Sequence, residues 1–195
     1  IRCDDLEGVQ KAAALIFGRD VTPADIEALI GTGQVEGETR ILLSALGERE
    51  IRYTATVVRD GELVADIRRS IKRTHSGRVV AHHELFEVPE KFQGAGLCRQ
   101  VFDTQMAVYD TIGVEEVATE AAWIGRYVWP RLGFELVDPT ELDDYKRRFA
   151  AWLIATERAN ESEGAKLLGG SDSVRDMAIS RSGRDRVGRD WLTSS

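Results

Sequence analysis

Between Thr39 and Val88 the sequence breaks into four runs rich in Val, Ile, Thr and Tyr: TRILLSAL, REIRYTATVVRDG, ELVADIRRSIKR and RVVAHHELFEV. Apolar, β-branched runs of this length bounded by turn residues read as strands. The second and third runs meet at Asp60-Gly61, a pair suited to the left-handed positions of a two-residue hairpin. THSGR makes another turn between the third and fourth. Strands joined so tightly pair antiparallel, so the middle of the chain is expected to be a meander.

What flanks this meander is helical in pattern. DDLEGVQKAAALIFG offers an Asp cap, apolar positions Leu6, Val9, Ala12, Ala13 and Ile16, and Gly18 as a stop. TPADIEALIG has Thr22 at the N-cap, Pro23 at the first helical position and Gly31 past the end. After the meander the chain alternates: a helix from about Ala95 to Ile112, a short strand in VEEVATEA, a short helix in AWIGRYVWPRL and a last strand in GFELVD. A longer helix follows from Pro139 to about Ala159, with Leu142, Tyr145, Phe149, Trp152 and Leu153 forming an apolar stripe. The stripe needs a cover, either the chain's own sheet or a second copy, so a homodimer is among the expected assemblies. From about Asn160 the sequence is rich in Gly, Ser, Arg and Asp and reads as an appendage or a loosely ordered tail. Trp191 and Leu192 near its end predict a docking contact. The fold class is α/β (α+β): one mixed, mostly antiparallel sheet flanked by helices, with the main domain at residues 1–138 and a C-terminal helical extension and tail at 139–195.

Bulk properties narrow the function. At 195 residues the chain is one domain's worth, and a net charge of −7 argues against a nucleic-acid partner. No stretch approaches the roughly 18 apolar residues of a membrane span. The opening IRCDDLEGVQ has neither a basic n-region nor an apolar h-region, so no secretory signal is expected. The two cysteines, Cys3 and Cys98, make neither a disulfide framework nor a zinc site, and a cytoplasmic location follows as the expectation.

The most informative short motif is KFQGAGLCRQVF, Lys91 to Phe102, where Gly94 and Gly96 stand at the mouth of a helix. A tight turn explains them. So does anion binding: the first turn of a helix leaves unpaired N–H groups with partial positive charge, and glycine removes the Cβ atoms that would hold a phosphate away. A Walker loop is excluded, because no Lys-Ser/Thr pair follows.

The string Gln93 to Cys98 resembles the Q/R-x-x-G-x-G/A signature of the GNAT superfamily of acyl-CoA-dependent N-acyltransferases. YVWPRLGFEL resembles that family's second landmark, a helix running through an aromatic to Leu-Gly-Phe and a final strand. The resemblance covers about Ile16 to Val137. It implies that Val88, Gln93, Gly94, Ala95, Gly96, Leu97 and Cys98 line the site of acetyl-CoA or another acyl-CoA. The amides of the glycine turn would hold the diphosphate, and backbone around Glu87 and Val88 would meet the thioester carbonyl. It also implies a groove where the fourth strand of the series, carrying HHELFEV, parts from the fifth.

Two departures stand out. Cys98 replaces a small Gly or Ala, and reads as a buried apolar cysteine or as a thiol activated by the helix N-terminus. Trp129 occupies the place of the Tyr that in many relatives protonates the leaving thiolate, and an indole does not supply that proton. Tyr127, two residues earlier, is the alternative acid. For the base that must take the amine's proton, the resemblance points to Glu87 and Glu84. Strict alternation would put His83, Leu85 and Glu87 on one face and His82, Glu84 and Phe86 on the other. Glu120 is a further candidate substrate contact, and no metal site is expected. Two functions are thus expected: acetyl transfer to a primary amine of a small molecule or peptide, or a GNAT-like scaffold that binds or assists without acetyl transfer.

Overall fold

The computed structural model describes residues 1–3, 5–33, 35–121, 125–158, 161–179, 181 and 186–194. By internal packing it divides into two compact units, Ile1–Glu120 and Ala121–Ser195, whereas the sequence places its boundary after residue 138.

The first unit is built on a six-stranded sheet in chain order. Its strands are β1 (Arg2–Cys3), β2 (Glu38–Ala45), β3 (Glu50–Arg59), β4 (Glu62–Arg73), β5 (Val79–Glu87) and β6 (Glu116–Thr119). From β2 to β5 the pairing is antiparallel, as the short turns require, and Asp60 and Gly61 both adopt positive φ (53° and 79°) in the hairpin between β3 and β4. β5 and β6 are parallel, joined by a right-sized helical crossover. The expected mixed, mostly antiparallel sheet is present. β1, a two-residue strand parallel to β2, was not anticipated in the helical reading of the N-terminus.

Three helices complete this unit: α1 (Leu6–Phe17), α2 (Pro23–Ile30) and α3 (Leu97–Ile112). The Asp5 side chain accepts from the Gly8 N–H, and Thr22 with Asp25 closes a capping box, so both N-terminal helices start where the cap residues dictate. Val9, Ala12, Ala13 and Ile16 of α1 are buried, while Leu6 is exposed. The helices share one sheet face, lined by Ile51, Tyr53, Ala55, Ala65, Ile67, Ile71 and Ala81. Gln105 of α3 ties the layers together, donating to the Tyr53 hydroxyl and to the Ile30 carbonyl.

The second unit holds α4 (Gly125–Arg131), α5 (Leu142–Ala155), α6 (Glu161–Gly169), α7 (Val174–Ile179) and α8 (Val187–Ser194). Here one expectation is corrected and one is decided. GFELVD is not a strand: Gly133 has φ 101°, the Phe134 N–H bonds back to the Trp129 carbonyl, and Val137 is fully exposed, so the segment turns instead of extending. Of the two readings of the tail, the packed appendage holds, with Trp191 and Leu192 docked as expected. Its α7 and α8 bury Val174, Met177, Val187, Trp191 and Leu192 against Phe149 and Leu153 of α5, and the Trp191 ring stacks on Phe149 with centroids 4.9 Å apart. The stripe of α5 is therefore covered by the chain's own C-terminus. Among the described residues no helix is long and apolar enough to cross a membrane.

Candidate functional site

β5 and β6 pair at Val80↔Glu116, Ala81↔Val117, His82↔Ala118 and His83↔Thr119. There β6 ends, and the Thr119 hydroxyl closes the last rung by donating to the His83 carbonyl. β5 runs on to Glu87, held on its other edge by β4 but with no described strand on the β6 side. The two parallel strands thus part at His83, and the glycine turn follows the open end of β5.

A register shift sits at the same level. Arg68 faces Leu85 and the next residue, Arg69, faces His83, so Glu84 is an extra residue in β5. A bulge of this kind places two successive side chains on one side. The expected alternation is thereby corrected. Cross-strand partners show His83 and Phe86 on the helix-covered face with Tyr53 and Arg69, and His82, Leu85 and Glu87 on the other with Asp66 and Ser70. Glu84 joins this second face, where Arg52 of β3 binds its carboxylate through Nε and Nη2, both at 3.1 Å. The two candidate carboxylates, Glu84 and Glu87, therefore lie on the same face and differ in state. Glu84 is half-buried and ion-paired; Glu87 is exposed and makes no ion pair among the described residues. Directly opposite Glu87 stands Asp66, whose Oδ1 is buried without a partner.

The turn from β5 to α3 has the conformation its glycines suggest. After a 3₁₀ turn at Glu90–Phe92, Gly94 and Gly96 take φ of 81° and 80°, a region costly for other residues. A Cβ built on either meets no atom within 4 Å, so the space before the turn is open. Gly96 caps α3 without a side-chain hydrogen bond, and the first helical bond is Gln100 N–H to Gly96 O. The N–H groups from Gly94 to Cys98 meet no acceptor among the described residues. The Gln93 side chain braces the turn by donating to the Val88 carbonyl at 2.9 Å, while Val88 and Leu97 pack against the core. Ala95 is exposed between the glycines.

Cys98 settles on the apolar reading. Burial pushes its thiol up to about 11, against the pull of Arg69. In pulse alkylation at pH 8, Cys98 in the native protein is expected to react more than tenfold more slowly than in the unfolded chain, read by mass spectrometry of its peptide; equal rates would restore the activated-thiol reading.

His83 is 1% exposed, and its Nε2 lies 3.1 Å from the Tyr109 hydroxyl of α3. Burial, then the charge of Arg69, depress its pKa to about 2, so it is a neutral core histidine. Tyr127 and Trp129 belong to the second unit. The Tyr127 hydroxyl accepts from Arg131 at 2.8 Å, and the guanidinium groups of Arg131 and Arg189 lie over its ring. Trp129 is buried beside Phe134, ring centroids 5.2 Å apart. Glu120 is exposed at the end of the first unit.

Sequence reasoning missed the bulge, Asp66 and Arg69. For Arg69 a signal existed: Ala65, Ile67, Arg69 and Ile71 share one parity of β4, so alternation already sends that arginine to the apolar face.

No family model matches the chain, and no curated protein matches it. Among solved structures it is similar to the ribosomal-protein-alanine N-acetyltransferase from Brucella melitensis biovar Abortus 2308, at 12% identity and a TM-score of 0.39, covering 48% of this chain and 69% of that one. It is similar to the aminoglycoside N-acetyltransferase AAC(6')-Iy in complex with CoA, at 20% identity and 0.38, covering 47% and 72%. It is also similar to the glucosamine-6-phosphate N-acetyltransferase from Arabidopsis thaliana, at 14% identity and 0.38, covering 70% and 91%.

Proposed function

We propose that this chain is a divergent member of the GNAT superfamily whose first unit binds an acyl-CoA and passes the acyl group to a primary amine. The observation that carries this reading is the parting of β5 from β6 at His83, next to a turn whose N–H groups, Gly94 to Cys98, meet no acceptor among the described residues and whose two glycines leave open space where a Cβ would stand. That pairing of features fits an anionic diphosphate joined to a slender arm: the helix N-terminus takes the charge and the gap between strands takes the arm.

A bound acyl-CoA supplies an activated thioester, whose carbonyl carbon forms the C–N bond as the C–S bond breaks. Glu87 is the proposed acceptor of the proton the amine must lose; it makes no ion pair among the described residues and lies on the strand that borders the gap, which supports the choice. Glu84 is a weaker choice, since Arg52 already holds its carboxylate. Asp66 beside Glu87 adds negative charge that favours a cationic amine over a neutral acceptor. Backbone beyond the bulge supports the thioester oxygen as charge develops there.

The test is a thermal melt with coenzyme A or acetyl-CoA at a hundredfold over its dissociation constant, which should raise the midpoint by several degrees. Glu87→Gln should leave that shift in place while lowering turnover on a panel of amines. No shift with either ligand would remove the reading. A second reading, a GNAT-like scaffold without acyl transfer, is favoured by two observations: the segment that follows Leu132 forms no strand, and Trp129 is buried in its unit instead of offering an acid. A full thermal shift without turnover on any amine would select it.

A further inference from the structure

The second unit holds a cavity of about 260 Å³. Among the described residues it is lined by Ala121, by Arg126 of α4, by Tyr145 and Arg148 of α5, and by Trp191 and Leu192 of α8. Tyr145 and Arg148 are three residues apart on α5 and so share one side of that helix. The Arg148 guanidinium carbon lies 4.6 Å from the Tyr145 ring centroid, and the Trp191 ring meets Tyr145 edge to face with centroids 6.1 Å apart. Trp191 and Leu192 are buried in the core of the unit, where Trp191 stacks on Phe149, so the apolar part of the lining is held in place by packing.

The described lining contains two arginines and no carboxylate, so its charge is positive although the chain as a whole carries −7. Arg148 has a partner outside the lining: Asp144 meets its Nε at 3.0 Å, but the same exposed carboxylate also binds Arg147 at 3.3 Å. One exposed carboxylate shared by two guanidinium groups neutralises neither fully, and the terminal nitrogens of Arg148 carry further donors. A guanidinium fork matches the two oxygens of a carboxylate, and aromatic neighbours accept a flat ring by its face or edge. Volume sets the size, since an apolar cavity of about 150 Å³ holds benzene. The larger space here takes a ring and one carboxylate. We propose that this cavity binds a small aromatic carboxylate, with its ring against Tyr145 and Trp191 and its charge met by Arg126 and Arg148. The site draws on the second unit alone, so it stands or falls apart from the acyl-CoA reading.

Two probes, para-fluorobenzoate and para-fluorobenzyl alcohol, share a ring and differ in charge. Titrated with the full chain and followed by fluorine NMR, the benzoate is expected to bind at least tenfold more tightly than the alcohol. Arg126→Gln and Arg148→Gln should each remove most of that preference, and Tyr145→Ala should weaken both probes. Arg175→Gln takes an exposed charge from α7 outside the described lining and should leave the preference intact. Indole fluorescence melts check that each variant keeps its fold, and if neither arginine variant folds, the wild-type comparison decides alone. Equal binding of the two probes overturns the proposal, as does binding of neither. A loss in Arg175→Gln as large as in Arg148→Gln also overturns it, because the attraction would then be to positive charge in general and not to this cavity.

Discussion

Replacing Gly188 by alanine should cost the second unit about 3 kcal/mol or more. Gly188 is buried near the start of α8, and a Cβ there would stand 1.8 Å from the Met177 carbonyl oxygen and 2.9 Å from that of Ala178. Both are backbone atoms of α7, so no side chain can swing aside. Relief requires α8 to move off α7, which withdraws Val187, Trp191 and Leu192 from Phe149, Leu153 and Met177. The experiment has a built-in reporter. All four tryptophans, at 123, 129, 152 and 191, lie in sequence within 121–195, the span of the second unit, and none lies in the first, so indole fluorescence reports on that span. The fluorescence midpoint of Gly188→Ala should drop by several degrees, and an unchanged midpoint would show that α7 and α8 are not packed as described.

The second large effect is a loss of stability in mild acid, traceable to His83. Its folded pKa is about 2, far below the ordinary value near 6.5, because it is buried and Arg69 lies close. Between those values the unfolded chain holds a proton that the native state refuses. Stability therefore rises with pH across this window, is fully present above about 6.5, and is lost as pH falls below it. The slope approaches about 1.4 kcal/mol per pH unit, or about 2 kcal/mol from pH 6.5 to 5. Asp25, held low by Arg19 and by its cap bonds to Thr22, begins to contribute only at lower pH, so it does not confuse the reading. Urea melts at pH 6.5 and 5 should differ by this amount for the wild type and by much less for His83→Gln. Equal pH slopes in the two proteins would mean that His83 is protonated in place.

How far the sequence foretold all this depends on the kind of signal. The hairpin at Asp60-Gly61, the N-cap at Thr22 and the glycines at 94 and 96 are local chemistry, and each produced the predicted backbone. The bulge at Glu84 has no such mark. It arises from matching two strands to each other, and single-strand alternation therefore assigned Leu85, Phe86 and Glu87 to the wrong faces. GFELVD has strand composition, but composition does not provide a neighbour, and the chain turns back on Trp129. The tail was left between two readings, and Trp191 with Leu192 pointed to the right one. Its Gly, Ser and Arg content reads as loose, yet four apolar residues on α7 and α8, Val174, Met177, Val187 and Leu192, together with Trp191, are enough to close a small core. The glycine turn of the site was thus legible, whereas the face taken by Glu87 and the buried Arg69 opposite His83 became visible only through pairing.

The extra residue at Glu84 also governs which length changes this strand can survive. Excising Glu84 alone would return β5 to simple alternation and leave His83, Leu85, Phe86 and Glu87 opposite the partners they already have. Removing two residues would turn everything after His83 to the other side: Phe86 and Val88 would leave the interior, and Glu87 would be driven beneath the helices. The segment is therefore counted as well as composed: it has one residue to spare, and the loss of a second should be rejected.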